Sequence, residues 1–125
     1  EQLWRAEQIN PGTASPVIIG GRLFAINSAG VLNALDLKTQ DRGWKPRLTG
    51  PFSASLVAAG DSIVAVNEKG LVQIVDTKAT QDAAVVGTLQ LPLNEGTKEM
   101  VLSTPSLSVS HVFVRSDSKL WRLGE

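Results

Sequence analysis

The sequence predicts an all-β chain built from repeats of one small antiparallel sheet, and three observations predict it. Short runs rich in Val, Ile, Leu and Phe alternate with turn residues along the whole chain, which is typical of strands. No apolar stripe at helical spacing is long enough for a helix. The sequence also repeats itself, because a shift of 40 positions (67 − 27 = 40) aligns "LFAINSAGVLNALD" with "IVAVNEKGLVQIVD".

The two copies stay in register over most of their length. Identical residues coincide at Trp4 and Trp44, Pro11 and Pro51, Ser15 and Ser55, Gly20 and Gly60, Asn27 and Asn67, Gly30 and Gly70, and Asp36 and Asp76. At many positions between them, one apolar residue replaces another. Chance does not keep a register over this length, so we interpret the repeat as a structural unit.

Each copy carries an Asn-x-x-Gly turn between two apolar runs, at 27–30 and 67–70. The Asn side chain favours the first position of a type I turn, because its oxygen can accept a backbone hydrogen bond. Glycine accepts the positive φ that sends the chain into the returning strand. A hairpin needs this chemistry once, so a repeated hairpin repeats it.

A third and weaker copy begins at "STPSLSVSHVFVRSDSKLWRL", in which Pro105 repeats Pro16. Its turn, at 116–119, has Lys119 where the other copies have glycine. Lys119 is therefore expected to adopt a left-handed conformation at some energetic cost, or the turn to have another geometry. The strand positions of Ile63, Val66, Leu71 and Ile74 are predicted to be taken approximately by Val112, Val114, Leu120 and Leu123.

Each full unit predicts four strands, which in the first copy are "SPVII", "RLFAI", "VLNALD" and "GWKPRL". A period of about 40 to 45 residues with four strands per unit is typical of a β-propeller blade. The chain is thus predicted to form one repeat module over 1–125. It contains a lone outer strand at 1–8, blades at 13–50 and 53–92, and a degenerate blade at 103–123 that lacks its last strand.

The stretch "SPVIIGGRLFAINSAGVLNALDLKTQDRGW" resembles the repeat of pyrroloquinoline-quinone-like (quinoprotein-like) β-propellers. The matching residues are Ser15, Pro16, Gly20, Gly21, Gly30, Ala34, Leu35, Asp36 and Trp44. The second unit keeps Ser55, Gly60, Gly70 and Asp76, but it has Leu56 in place of proline and no final tryptophan. The resemblance covers nearly the whole chain and implies the fold, whereas function varies widely among proteins that share it.

What the resemblance implies about function is a choice between two classes. Some members of this superfamily look like outer-membrane assembly scaffolds, and the resemblance implies a periplasmic or extracellular location. The quinone-dependent dehydrogenases carry adjacent cysteines, a catalytic aspartate and calcium ligands from a complete ring, whereas this chain has no cysteine. We therefore expect a non-enzymatic binding or assembly scaffold without a cofactor. The alternative is a fragment of a pyrroloquinoline-quinone-dependent dehydrogenase whose site lies in other blades.

Three blades are fewer than the roughly four to eight of closed propellers, so the prediction is a partial or oligomer-completed propeller with a protein partner. In the first arrangement, the chain is one piece of a longer propeller. A second copy could instead complete a six-bladed ring, each copy lending its Trp4 strand to the other's last blade. The third arrangement is an open fragment that aggregates through its apolar end faces.

Composition excludes several other classes. Lys plus Arg equals Asp plus Glu at 12 each, which removes the electrostatic basis for binding nucleic acid. The absence of cysteine excludes disulfides, thiolate zinc sites and cysteine nucleophiles. No apolar stretch approaches the roughly 20 residues that a membrane-spanning helix needs.

Two groups of residues are candidates for binding. The first lies at the starts of the innermost strands, near the axial channel of a propeller, and consists of Ser53, Ser55, Ser103 and Thr104. The second lies in "LPLNEGTKEMV" at 91–101, which lengthens the repeat by about nine residues. There, Asn94, Glu95, Lys98 and Glu99 are the predicted contacts for a protein partner.

Other conspicuous residues are interpreted as structural. His111 is the single histidine, placed just before a strand. Asp36 and Asp76 occupy equivalent turns, where aspartate caps backbone amides, so they are not interpreted as a catalytic pair. The tryptophans are expected to cover the gaps between neighbouring blades.

Overall fold

The computed structural model describes residues 1–3, 5–7 and 9–124, and it is all-β, as predicted. The first sheet contains β1 (Val17–Ile19), β2 (Arg22–Ile26) and β3 (Leu32–Asp36). The second contains β4 (Val57–Ala59), β5 (Ser62–Val66), β6 (Leu71–Asp76) and β7 (Val85–Gln90), with a 3-10 turn at Gln81–Ala83. The third contains β8 (Ser106–Leu107), β9 (Val112–Arg115) and β10 (Leu120–Leu123). In each sheet, strands adjacent in sequence pair antiparallel.

The fourth strand predicted for the first sheet, "GWKPRL", is wrong as a regular strand. The segment does run beside β3: Leu32 and Ala34 donate their amides to the carbonyls of Pro46 and Trp44, at 3.0 and 3.2 Å. Only one isolated antiparallel bridge, Val31 to Arg47, is formed. Pro46 has no amide hydrogen to return the bond from Leu32, so the ladder is interrupted at its centre. We call residues 44–48 the edge segment.

The two Asn-x-x-Gly turns have the predicted chemistry. The side-chain oxygens of Asn27 and Asn67 accept the amides of Val31 and Leu71, each at 2.9 Å. Gly30 and Gly70 have φ angles of +101° and +81°, a region that glycine occupies without a steric penalty. In each turn, the asparagine side chain thus accepts a backbone amide in place of a backbone carbonyl. The glycine allows the chain to reverse its direction.

The third turn has the other geometry, and Lys119 does not have a positive φ. Among the described residues other than glycine, only Gln40 has one. Ser116 donates its amide to the carbonyl of Lys119 at 2.9 Å, so two residues, 117 and 118, make the turn. The turn is one residue shorter than the others, and no residue stands at the position of Gly30.

The shorter turn also corrects the predicted strand positions in the third sheet. Leu123 pairs with Val112 as Val75 pairs with Ile63. Val112 therefore matches Ile63 as predicted, whereas Leu123 matches Val75 rather than Ile74. By the same pairing, Val114 matches Ala65 and Leu120 matches Val72.

The inner strands of the second sheet, β5 and β6, are mostly buried because the sheet lies between the other two. One core cluster joins it to the first sheet through Ile63, Ala65 and Val75 of the second sheet, with Phe24, Ile26 and Leu32 of the first. The other cluster contains Val64, Val66, Val72, Leu91, Val101 and Val114 and joins it to the third sheet. Successive residues of β5 thus face opposite neighbours, which explains its continuous apolar run.

The described residues before Thr13, which are 1–3, 5–7 and 9–12, lie outside the three sheets. The lone outer strand predicted at 1–8 does not form among the described residues 1–3 and 5–7, and Trp4 and Gln8 are outside the described part of the chain. A lent strand needs the edge of another blade to pair with. No helix within the described residues is long and apolar enough to cross a membrane.

Candidate functional site

The predicted axial residues lie where neighbouring sheets meet. Ser15 donates its amide to the hydroxyl of Ser55 at 2.8 Å, and Ser55 donates its own amide to the hydroxyl of Thr104 at 3.2 Å. Thr13 adds a hydroxyl bond of 3.1 Å to the carbonyl of Ser53. One hydroxyl in each later sheet therefore receives an amide from the sheet before it, and the chain of bonds links all three sheets.

Ser53 and Ser103 are engaged in a different way. The Ser53 hydroxyl donates to Oε1 of Glu68, in the turn after β5. The Ser103 hydroxyl donates to the carbonyl of Arg115 at 3.0 Å. Each serine ties the approach to a first strand to the hairpin of its own sheet. We call the contact between the first and second sheets the first junction, and that between the second and third sheets the second junction. The structure thus brings the four predicted polar residues to these junctions, where each already has a hydrogen-bond partner.

The two junctions share a set of backbone hydrogen bonds. Leu48 donates to the carbonyl of Gly30 at 2.8 Å, and Leu91 donates to that of Gly70 at 3.0 Å. After Leu48, Phe52 bonds to Ser28 at 2.9 Å; after Leu91, Val101 bonds to Glu68 at 3.0 Å. Pro51 and Met100 then accept the amides of Glu68 and Asp117, at 2.9 and 3.0 Å. The sheets are therefore joined in the same way twice.

These equivalences divide the nine extra residues of the second repeat between two places. Leu91 follows Gly70 by 21 positions, whereas Leu48 follows Gly30 by 18 (91 − 70 = 21; 48 − 30 = 18), so three residues are added between β6 and the end of β7. The step from Leu91 to Val101 is ten positions, against four from Leu48 to Phe52, so six are added in the loop. Both ends of the loop are buried, with Leu91 and Val101 in the second core cluster.

Within this loop, Asn94, Glu95 and Lys98 are exposed, as a partner contact requires. Glu99 is not free in this way. Its Oε1 accepts the Ser116 hydroxyl at 2.8 Å, together with the hydroxyl and amide of Ser118. The hydrogen bonds from Ser118 and then Ser116 lower its pKa to about 2. Glu99 therefore holds the third hairpin, a role that depends on tertiary contacts and has no signature in the sequence.

A second group of hydrogen-bonding side chains, formed by Gln73 and Asn67, was not predicted from the sequence. Gln73 is buried in β6, and its side-chain oxygen accepts the amide of Thr49 at 2.9 Å while its nitrogen donates to the Thr49 carbonyl at 3.0 Å. The buried Asn67 side chain donates to the same carbonyl at 2.9 Å. These amides fix the linker between the first and second sheets by satisfying its backbone groups.

The remaining titratable candidates have local partners. Oδ1 of Asp36 accepts the amides of Lys38 and Thr39, at 2.8 and 2.9 Å, and the bonds from Thr39 and then Lys38 lower its pKa. Asp76 accepts the amide of Lys78 at 2.9 Å. The Nδ1 atom of His111 lies 2.8 Å from the Ser110 hydroxyl. Nowhere in the described residues do three or more His, Cys, Asp or Glu side chains form a metal-binding group.

Trp44 fills the outer part of the first junction. Its ring packs edge-on against Phe24, with centroids 5.6 Å apart and planes at 85°. Its Nε1 donates to the carbonyl of Ala79, in the turn that follows β6, at 3.0 Å. The Arg22 guanidinium lies 4.9 Å from the Phe24 centroid and 5.1 Å from that of Trp44, and it donates to the Thr77 carbonyl at 2.6 Å. We call Trp44, Phe24 and Arg22 the Trp44 box.

The second junction has a cleft instead. This open cleft has a volume of about 460 Å³ and lies between the second and third sheets. We call it the second-junction cleft. Its walls are mainly apolar; they are formed on one side by Ala59, Val64, Val72, Ile74, Gly87, Thr88 and Leu89, and on the other by residues 107–112, Leu123 and Gly124.

Together, the three sheets and their junctions define the fold of pyrroloquinoline-quinone-like β-propellers. The solved structure of BamB from Moraxella catarrhalis is similar, with a TM-score of 0.72 and 20% identity over 89% of this chain and 36% of that one. A quinohemoprotein alcohol dehydrogenase from Pseudomonas putida is similar with a TM-score of 0.71 and 12% identity, over 87% of this chain and 17% of that one. One from Comamonas testosteroni has a TM-score of 0.69 and 15% identity, over 85% and 17%.

These similarities confirm the predicted fold and its resemblance to pyrroloquinoline-quinone-like β-propellers. At such low sequence identities, they concern the fold alone. The chain spans between about a sixth and a little over a third of the length of these three proteins. No protein-family model and no curated protein sequence matches it.

Proposed function

We propose that this chain is a non-enzymatic binding or assembly scaffold and that its three blades belong to a larger propeller. The observation that carries the proposal is the repeated junction. Three equivalent backbone bonds recur at the two junctions: two hold the linker to the sheet before it, and one holds the linker to the sheet after it. Because the same type of junction recurs between successive sheets, further blades can be added in the same way. The outer faces of the first and third sheets are therefore suited to receive them.

The end of the third sheet supports this proposal. Strand β10 forms one edge of that sheet, with β9 on its other side and no fourth strand among the described residues. Leu120 on β10 is 72% exposed. An unpaired edge beside an exposed apolar side chain is a surface to which another strand readily adds. Such a strand would come from further blades or from a second copy of the chain.

A binding role also agrees with how the polar side chains are used. The hydroxyls of Ser53, Ser55, Ser103 and Thr104 hold the junctions together, as does the carboxylate of Glu99. What remains free is the exposed part of the long loop, including Asn94, Glu95 and Lys98, on a rigid base. We propose these three as contacts for a protein partner, in a compartment outside the cytoplasm.

The second candidate is a piece of a quinone-dependent dehydrogenase, which the similarity to quinohemoprotein dehydrogenases favours. The residues of this chain do not by themselves fit such a cofactor and its metal. The sequence has no cysteine, and the described residues bring no three acidic or histidine side chains together. This candidate therefore requires that other blades supply the site.

Thermal unfolding distinguishes the two candidates. A ligand that binds only the folded state must raise the melting temperature in a concentration-dependent way. We expect pyrroloquinoline quinone with calcium to leave the melting temperature unchanged, and we expect the same result in the control with calcium alone. A saturable rise that requires the quinone would contradict the scaffold proposal and support the dehydrogenase.

A further inference from the structure

The second-junction cleft lies where the first junction contains the Trp44 box. Strand pairing shows the equivalence. Ala34 of β3 bonds to Trp44, whereas the matching residue of β6, Ile74, pairs with Gly87. Glycine thus occupies the tryptophan's place.

The other two members of the box are replaced as well. Arg22 pairs with Asp36, and Ser62 pairs with Asp76, so Ser62 stands in the place of Arg22. Phe24 likewise corresponds to Val64, which lines the cleft. Three large side chains are therefore replaced by three small ones at one junction. The second-junction cleft is lined by Gly87 and Val64, the residues that stand in the places of the Trp44 indole and the Phe24 ring.

The backbone does not require glycine at position 87. Unlike Gly30 and Gly70, Gly87 lies outside the positive-φ region, and a Cβ built on it would meet Ile74 at 3.8 Å, an ordinary contact. A β-strand interior disfavours glycine, because it adds entropy to the unfolded chain and packs no side chain. The effect of glycine here is to leave the cleft open.

The size and lining of the cleft suit one kind of ligand. A volume of about 460 Å³ is within the range of small-molecule sites, about 300 to 1,000 Å³. Val64, Val72, Ile74 and Leu123 offer flat apolar walls on two facing sheets. Thr88, Ser108, Ser110 and His111 place polar groups at the same cleft. An apolar slot with a few polar groups is suited to a planar ring that carries a single N–H or O–H.

We propose that the second-junction cleft binds a small aromatic molecule whose ring system is the size of an indole, seated between the second and third sheets as Trp44 is seated between the first and second. The ring packs on Val64 and Ile74. Its polar atom reaches the hydroxyls or the imidazole on the third sheet. This site does not depend on the scaffold proposal, because both of its walls belong to the described residues.

Indole itself is the probe, followed by amide chemical shifts in ¹H–¹⁵N spectra of the 125-residue chain. We expect saturable shifts of Gly87, Leu107 and Leu123 with a dissociation constant of about 1 mM or tighter, while the Nε1–H of Trp44 is unaffected. Cyclohexanol, whose ring is saturated and carries one hydroxyl, tests whether binding requires an aromatic ring. We expect it to bind at least about tenfold more weakly than indole. Absence of saturable shifts up to about 10 mM indole, or equal binding of cyclohexanol, would overturn the proposal.

Gly87→Trp fills the cleft with the side chain of the first junction, and we expect it to abolish indole binding. Val86→Trp is the matched control, because Val86 precedes Gly87 on β7, is 60% exposed and is not among the residues that line the cleft, so binding should persist. If Gly87→Trp does not fold, Gly87→Leu takes its place, with at least about a tenfold loss expected. Unchanged binding in the folded cleft-filling variant would overturn the site.

Discussion

The indole of Trp44 donates a hydrogen bond of 3.0 Å to the carbonyl of Ala79, and so it joins the edge segment of the first sheet to a turn of the second. The same ring packs edge-on against Phe24 and beneath the Arg22 guanidinium. Apolar area, an aromatic pair and a hydrogen bond thus act at one point of contact between two sheets.

Trp44→Ala is expected to destabilise the chain by about 2–4 kcal/mol, because it removes a large half-buried side chain and leaves a cavity at the junction. Trp44→Phe keeps part of the packing and loses the bond to Ala79, so we expect it to cost about half as much. Urea unfolding gives both values. A cost below about 1 kcal/mol for the alanine variant would show that Trp44 does not hold the sheets together.

Gly30→Ala is expected to cost at least about 2 kcal/mol. Gly30 has a φ of +101°, and an added Cβ would lie 2.4 Å from the carbonyl oxygen of Leu48. Gly87→Ala is the matched control: its Cβ would meet Ile74 at 3.8 Å, so we expect a neutral or slightly stabilising effect. Equal melting temperatures for the two variants would contradict the difference between these glycines.

Glu99 makes the stability depend on pH in the acid range. Its pKa is lowered from 4.5 to about 2 in the folded chain by hydrogen bonds from Ser118 and Ser116. A depressed pKa means that the ionised form favours the folded state, so the stabilisation is complete above pH 4.5 and is lost as the pH falls towards 2. Urea midpoints of the chain and of Glu99→Ala should therefore converge between these values. A constant difference from pH 7 to pH 2 would exclude ionisation as the cause.

Much of the fold could be predicted from the sequence because its turn chemistry is local. Asn27 and Gly30 carry the same signal as Asn67 and Gly70, and a 40-residue shift makes it visible. The failed fourth strand has a local cause too, since Pro46 stands where the ladder needs an amide. For the third turn the sequence allows two geometries, and the structure has the one in which a turn one residue shorter moves Lys119 out of the glycine position.

The contacts at the junctions could not be predicted from local sequence patterns, because they depend on residues that are far apart in sequence. A shift of 40 places Trp44 on Ala84, and only the strand pairing, with its three added residues, shows that Gly87 takes the tryptophan's place. The role of Glu99 likewise depends on a contact with Ser116, 17 residues away. Repeats in a sequence predict blades well, whereas the filling of the space between blades depends on the folded geometry.

Leu120→Lys is expected to weaken association between copies of the isolated chain. Leu120 is 72% exposed on β10, the strand at the free edge of the third sheet. A lysine on an edge strand opposes the addition of another strand, while its effect on the folded monomer is small because the position is exposed. Sedimentation of the two proteins at equal concentration checks this. Identical association in both would place the contact elsewhere.

The mass of the isolated chain in solution tests most directly whether its end faces are interfaces. Light scattering on a size-exclusion column, from micromolar to near-millimolar protein, is the measurement. We expect a mass above that of the 13.3 kDa chain, near twice that value if two copies complete a six-bladed ring. A stable monomer over the whole concentration range would contradict association of copies of this chain through these faces.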